Sequence, residues 1–357
     1  MFRHSRSRAL TVAAIAALTL AACSSADSAE DQSSEADGDW EPIAIEHALG
    51  TTEIAQKPER IATVNWANHE VPLALGVVPV GMVEANFGDD DDNGILPWVE
   101  EKLAELDADD PVLFDETDGV DFEAVADTNP DVILAGYSGL TQEDYDTLSE
   151  IAPVVAYPET AWGTSWRDMI EINAAGMGMA DEGQELITEL ENEIEEKAAN
   201  YPAIEGKSTM FLTHVDPSDL SEVNFYTTHD TRPMFFEDLG MQAPKSIQEQ
   251  SDSTDEFSST ISAEQADVFD DVDIIVTYGD EELVATLEGD ELLSQMPAVK
   301  NGAIVSLPGD APLGTAANPT PLSISYVLDD YLAELENPAT AAQSAATVPR
   351  SQLLNRK

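Results

Sequence analysis

At 357 residues the chain is long enough for two domains with proper cores, and 71 acids against 15 bases give it a formal net charge of −56. Phosphate would repel such a surface, which excludes nucleic-acid binding through a basic face. The acids are interleaved with strong apolar runs, so the composition is not that of a disordered chain, and the scarcity of Lys suits a surface adapted to high salt, where self-repulsion is screened.

Arg3, Arg6 and Arg8 open the chain, and residues 9–20 form an apolar run of twelve, too short to span a bilayer. Leu20-Ala21-Ala22-Cys23 matches the bacterial lipobox, so Cys23 is expected to be acylated and to become the first mature residue. As the single cysteine of the chain, it leaves no intramolecular disulfide and no multi-cysteine metal site. Removal of the signal peptide, residues 1–22, would leave 12 bases against 71 acids, 12 − 71 = −59. Residues 23–39 read as a flexible Ser/Ala/acid-rich tether. The expected location is the outer face of the cytoplasmic membrane, where the absence of ATP argues against a nucleotide enzyme.

Residues 40–180 read as an N-terminal α/β lobe. Strand 60–65 leads into a loop with Trp66 and Asn68, then a helix through Leu75 and a strand at 77–83. A short helix at 121–127, strand 131–135, helix 141–151 and strand 153–157 follow. Such alternation implies a largely parallel sheet covered on both faces. Ligands bind such sheets at the carboxyl ends of the strands, where the loops hold Trp66, Asn68, Phe87, Tyr137 and Trp162. Gly136-Tyr137-Ser138-Gly139 approaches a nucleophile elbow, but position 140 is Leu where G-x-S-x-G needs Gly. The acidic run 89–92 lacks the ligand spacing of a calcium loop and reads as a solvated turn.

Residues 181–203 carry the interlobe helix. Ile187, Leu190, Ile194, Ala198 and Tyr201 fall on one helical face, and Glu193 and Lys197 are spaced as an i,i+4 pair. About 30 Å of helix between two similar α/β units reads as a rod joining two lobes. The C-terminal lobe, residues 204–336, should hold strands at 209–215, 222–227, 272–278 and 303–307, with helices at 232–239, 263–269 and 322–335. Its cleft-facing loops should present Tyr226, Arg232 and Tyr278. Residues 337–357 read as a loosely ordered tail. Asp121 and Ser262 each stand as an N-cap two residues before a first-turn carboxylate, Glu123 and Glu264, which the helix dipole favours. Trp66, Tyr137, Trp162, Tyr226 and Tyr278 can form an aromatic wall or serve as core and rim residues; Arg232 can serve the cleft or a surface salt bridge.

HALGTTEIAQKPERIATV, ALGVVPVG, FEAVADTNPDVILAGYSGL, TISAEQADVFDDVDIIVTYGD, MPAVKNGAIVSLPGD and PTPLSISYVLDDYLAEL, in this order behind a lipobox, resemble the substrate-binding lipoproteins of iron–siderophore ABC importers. The resemblance covers roughly residues 42–336. It implies two α/β lobes with mostly parallel sheets joined by one long helix, and a ferric siderophore in a shallow cleft. No catalytic residue, no cofactor and no direct protein ligand to iron follow from it. It also implies that Glu123 and Glu264 dock into Arg pockets of a permease dimer driven by its ATPase, and that Arg232 meets the oxygen cage around iron with its fork of donors. With Arg232 the one base placed near the cleft, a neutral or cationic ferric hydroxamate fits better than a strongly anionic catecholate. The stiff helix implies modest closure, and the protein is expected to be a monomer. Haem or a corrinoid would share the fold. A bare Mn or Zn ion would need His69, Glu70, His214, Asp216 and His229 to converge, and an extracellular hydrolase finds no catalytic signature.

Overall fold

Short apolar runs bounded by polar turns become the strands of two parallel sheets in the computed structural model, which describes residues 40–89, 91–309 and 311–338. Cys23, the signal peptide, the tether and residues 339–357 of the tail lie outside the described residues. An antiparallel hairpin comes first, β1 (Ile43–His47) with β2 (Gly50–Ile54). The first lobe then contributes β3 (Ile61–Thr63), β4 (Gly81–Val83), β5 (Val112–Phe114), β6 (Val132–Leu134) and β7 (Val154–Val155), all parallel, in the order β5-β4-β3-β6-β7. The strand order reverses between β3 and β6. A crevice opens at such a switch point, beyond the carboxyl ends of the strands.

In the second lobe β8 (Thr209–Phe211), β11 (Ile274–Tyr278) and β12 (Ile304–Leu307) form a parallel sheet, while β9 (Glu222–Tyr226) and β10 (Ser258–Ser262) pair antiparallel beside it. Val, Ile and Phe recur in the strands of the two parallel sheets, which apart from the edge strand β5 are largely buried on both faces, as a helix-covered parallel sheet requires. Residues 263–269 form a 3-10 helix instead of an α-helix.

The interlobe helix runs Ala180–Ala198, ending short of Tyr201. Its stripe of Gly183, Ile187, Leu190 and Ile194 is buried, and each large aliphatic contributes about 2 kcal/mol. It packs on the helix Trp166–Gly176 before it and on the terminal helix Ser323–Glu336. Lys197 bridges Glu193 at 3.0 Å and Asp329 at 3.2 Å, and Ser325 Oγ donates to Glu193 at 2.6 Å, so the rod is fastened to the terminal helix near its C-terminal end. Tyr201, just past the helix, still reaches Asp329 O through its hydroxyl at 3.2 Å. A second clamp joins the lobes directly: Trp166 Nε1 donates to Asp238 at 2.9 Å and Arg167 pairs with the same carboxylate at 2.9 Å. Asp238 ends the helix Thr231–Asp238, whose first turn carries Arg232.

Candidate functional site

The loops that leave β3 and β6 at the switch point are cross-braced by one side chain. Asn68 Nδ2 donates to Val64 O and to Tyr137 O, both at 2.8 Å, while its Oδ1 accepts from Tyr137 N and Asn173 Nδ2, both at 2.9 Å. Asn68 is fully buried. Its assignment as a ligand contact is therefore corrected: both ends of the carboxamide are spent on backbone and on Asn173, and it holds the loops that carry the cleft residues. Asn65 adds a second brace, accepting from Gly139 N at 3.1 Å and donating to Glu116 at 2.8 Å.

Asn65, Ala67 and Trp162 sit at φ of 57°, 60° and 60°, a left-handed conformation costing non-glycine residues about 1–2 kcal/mol each. Gly139 has to lack a side chain, because a Cβ there would lie 2.2 Å from the Trp162 indole nitrogen.

These braces frame a cavity of about 300 Å³ lined by Trp66, Phe87, Tyr137 and Trp162 from the first lobe and Tyr226, Arg232 and Tyr278 from the second. The structure thus brings together seven of the eight residues placed at the cleft by sequence, all but Asn68. His214, Asp230, Phe257, Thr315 and Asn318 join them. Tyr137 and Trp162 meet edge to face at 5.3 Å, His214 stacks on Tyr278 at 4.7 Å, and Phe87 crosses from the other lobe to meet both rings at 5.9 and 6.0 Å.

Arg232 is the electrostatic centre of this wall. Its Nη1 bonds both oxygens of Asp230 at 2.8 and 3.0 Å, its Nε donates to Tyr278 Oη at 2.7 Å, and the guanidinium lies 4.3 Å above the Tyr226 ring. Burial opposes the charge on Arg232, yet Asp230 beside it holds its pKa above the ordinary value. Burial raises Asp230, with Arg232 opposing. The two groups face each other as an ion pair at 2.8 Å, each charge against its counter-charge. Burial pushes Tyr137 up to about 12 and raises Tyr226 and Tyr278, so all three remain neutral phenols. Burial, and then Arg232, lowers His214. The wall is aromatic, neutral in sum, and carries one oriented guanidinium.

Several residues outside the predicted set were legible by rule. Asp230 caps the helix that begins at Thr231, a position where Asp is expected. His214 follows β8, and Thr315 and Asn318 follow β12, all at carboxyl ends of parallel strands. Phe257 precedes the antiparallel β10, where no such rule applies.

Competing chemistries lose their residues to other duties. Ser138 is fully buried and donates to Ala135 O at 2.8 Å, so the incomplete elbow is a structural turn. Glu70 accepts from Trp98 Nε1 at 2.7 Å and Leu322 N at 2.9 Å, and His229 Nε2 lies 3.0 Å from Thr254 O. Among the described residues no three His, Cys, Asp or Glu side chains assemble as a metal site. Asp121 and Ser262 are the N-caps, accepting from Ala124 N and Glu264 N, and Glu123 and Glu264 are exposed. No helix among the described residues is long and apolar enough to cross a membrane.

Known proteins are similar to this chain. Streptococcus pneumoniae TIGR4 PiaA, solved in complex with ferrichrome, is 46% identical, superposes with a TM-score of 0.80, and matches over 84% of this chain and 99% of its own. The probable siderophore-binding lipoprotein YfiY of Bacillus subtilis is 26% identical over 271 residues, 75% of this chain and 77% of its own. The putative ABC transporter substrate-binding lipoprotein YhfQ of the same organism is 26% identical over 307 residues, 83% of this chain and 88% of its own. A family model described as periplasmic binding protein matches residues 61–311, the span from β3 past β12 that supplies most of the cleft wall. Two α/β lobes fastened to one helix, with an aromatic cleft at their carboxyl-end loops, are this chain's form of a periplasmic binding protein, the family to which it belongs.

Proposed function

We propose that the protein captures a ferric siderophore of the hydroxamate type outside the cytoplasmic membrane and delivers it to an ABC permease. The observation that carries this reading is the composition of the cavity wall. Its aromatic rings suit the apolar skirt of a chelate, and the single guanidinium suits oxygens around the metal. Its one ion pair, Asp230–Arg232, is already compensated, leaving no spare cations for the multiple charges of a ferric tris-catecholate. The relative solved with ferrichrome supports the same ligand chemistry. Cys23 acylation would tether the protein to the membrane, as the names of the lipoprotein relatives suggest for them. Glu123 and Glu264, one exposed first-turn carboxylate on each lobe, would meet basic pockets on a two-fold permease, fixing orientation by charge complementarity.

Tryptophan fluorescence of the soluble domain tests the ligand. Trp66 and Trp162 line the cavity, so ferrichrome should quench saturably and its iron-free form should not. Quenching by a ferric catecholate or haem alone would replace the ligand class, and a response only to bare Mn or Zn would overturn the siderophore reading.

A further inference from the structure

Four buried side-chain polar atoms among the described residues lack a hydrogen-bond partner, and three belong to the cavity wall: Trp66 Nε1, Thr315 Oγ1 and Asn318 Oδ1. Thr315 and Asn318 are 2% and 5% exposed. Such atoms are costly to leave unpaired, and they cluster where a ligand completes them.

Both residues lie on the segment that follows β12 and opens with the helix Pro312–Ala316. Asn318 N closes a turn on Thr315 O at 3.2 Å, so the two side chains stand one turn apart. One end of the Asn318 carboxamide is anchored on Tyr137 Oη at 3.2 Å, and the other end is unpaired. Gly88 packs closely against Thr315, since a Cβ there would lie 1.7 Å from its hydroxyl, and its backbone helps hold the side chain in place. The segment cannot easily turn to satisfy these atoms from within. Behind it, Thr320 and Ser323 hydroxyls meet at 2.6 Å, and the buried Glu70 carboxylate holds Leu322 N at 2.9 Å. The wall is held from the rear with its front polar atoms free, which is how a recognition site is kept in place.

We infer that Thr315 and Asn318 form a hydrogen-bonding subsite for the organic scaffold of the chelate, selecting siderophores whose scaffold presents secondary amides. This rests on the ferric hydroxamate reading and deepens it. Iron occupies the hydroxamate oxygens, so the free donors and acceptors of such a ligand belong to its backbone. A carboxamide oxygen needs a donor and the Trp66 indole N–H needs an acceptor, while the Thr315 hydroxyl serves either role. A secondary amide offers N–H and C=O together. A hydrocarbon or ester scaffold lacks the donor and would leave Asn318 unpaired.

The test compares ferrichrome, whose hydroxamates hang on a cyclic peptide, with a synthetic tripodal ferric trihydroxamate built on a hydrocarbon anchor without amide N–H groups. Wild type, Thr315→Val and Asn318→Leu are titrated with both by tryptophan quenching, with circular dichroism checking the fold. Wild type should prefer ferrichrome. Each substitution should weaken ferrichrome roughly tenfold and leave the hydrocarbon-anchored chelate unchanged. Equal weakening of both chelates would overturn the subsite in favour of a packing role. Unchanged affinity for both would show that water satisfies these atoms, and overturns it too. If Asn318→Leu does not fold, the near-isosteric Thr315→Val decides alone. Failure of wild type to bind either chelate would instead reject the ferric hydroxamate reading and the subsite with it.

Discussion

Asp230→Asn separates the two jobs of the Asp230–Arg232 pair. Asp230 is 1% exposed and holds Arg232 through both carboxylate oxygens at 2.8 and 3.0 Å. Asn keeps the shape and can still accept from Arg232 N, so the helix cap survives while the compensating charge is lost. Removing one partner of a buried pair costs about 3–5 kcal/mol, because the remaining charge is stranded. Over roughly 300 folded residues the unfolding entropy is about 0.6 kcal/mol per degree, so the melting temperature should fall by about 5–8 °C. The stranded guanidinium should also change what the cleft prefers. A unit positive charge about 8 Å from a unit negative charge, at an effective dielectric of about 20, is worth about 2 kcal/mol, or roughly 30-fold in affinity. The assay is a melt by circular dichroism, paired with quenching titrations using ferrichrome and an anionic ferric catecholate at fixed salt. The variant should melt lower and shift its relative affinity toward the catecholate. A melt unchanged within about 1 °C would refute the claim that the pair is buried and coupled, and an unchanged affinity ratio would refute the claim that its compensation sets the charge of the cleft.

Glu70 gives a pH signature: burial lifts its folded-state pKa to about 7, against an ordinary 4.5. The folded state therefore binds a proton that the unfolded state has released, and the associated stability, complete below pH 4.5, is lost as pH rises through 7. The loss amounts to about 3 kcal/mol; urea unfolding at pH 5 and 7.5 should show it in wild type and not in Glu70→Gln, which also isolates it from the repulsion among surface acids. Asn68→Ala removes the cross-brace between two loops and should cost about 3 kcal/mol in unfolding free energy while weakening ligand binding; a full loss of affinity with unchanged stability would return Asn68 to the ligand. Glu123→Ala with Glu264→Ala should abolish transport in cells and leave affinity within about twofold, both side chains being exposed in the first turn of their helices. Affinity falling together with transport would reject the docking role.

The sequence carried most where one physical rule was sufficient. The stripe through Ile187, Leu190 and Ile194 has a single period, and the helix that forms is the rod it implies. Alternating strands and helices made the parallel sheets legible, and the carboxyl-end rule then led to Trp66, Phe87, Tyr137 and Trp162. The same rule failed for Asn68 because strand ends fix a loop's position and not the direction of a side chain: Trp66 lines the cavity and Asn68, two residues on, points into the brace. The hairpin Ile43–Ile54 was not assigned from sequence, because its two strands are joined through Ala48-Leu49, which carries no Asn-Gly or Asp-Gly turn signal. Thr315 and Asn318 were hidden for a different reason. The carboxyl-end rule gives their segment, but neither is aromatic nor charged, and what singles them out within it is one unpaired buried oxygen on each.

Charge acts on this protein at two ranges, and the two do not coincide. The chain as a whole carries −56, a field that reaches beyond the surface by a Debye length of about 8 Å at physiological salt. At close range the cavity offers the reverse of an acidic surface: neutral phenols, a His214 lowered by burial, and a guanidinium matched by one carboxylate. An anionic chelate would thus be opposed while approaching and would find no spare cation on arrival, whereas a neutral ferric hydroxamate would be indifferent to the outer field and, on the proposed reading, held by rings and hydrogen bonds. The same outer field would favour encounter with a basic permease face. On the proposed reading, a strongly acidic exterior would serve the partner and a compensated cleft the ligand, and the two demands meet at Arg232, whose charge can act on oxygens at contact distance and is cancelled beyond it by Asp230.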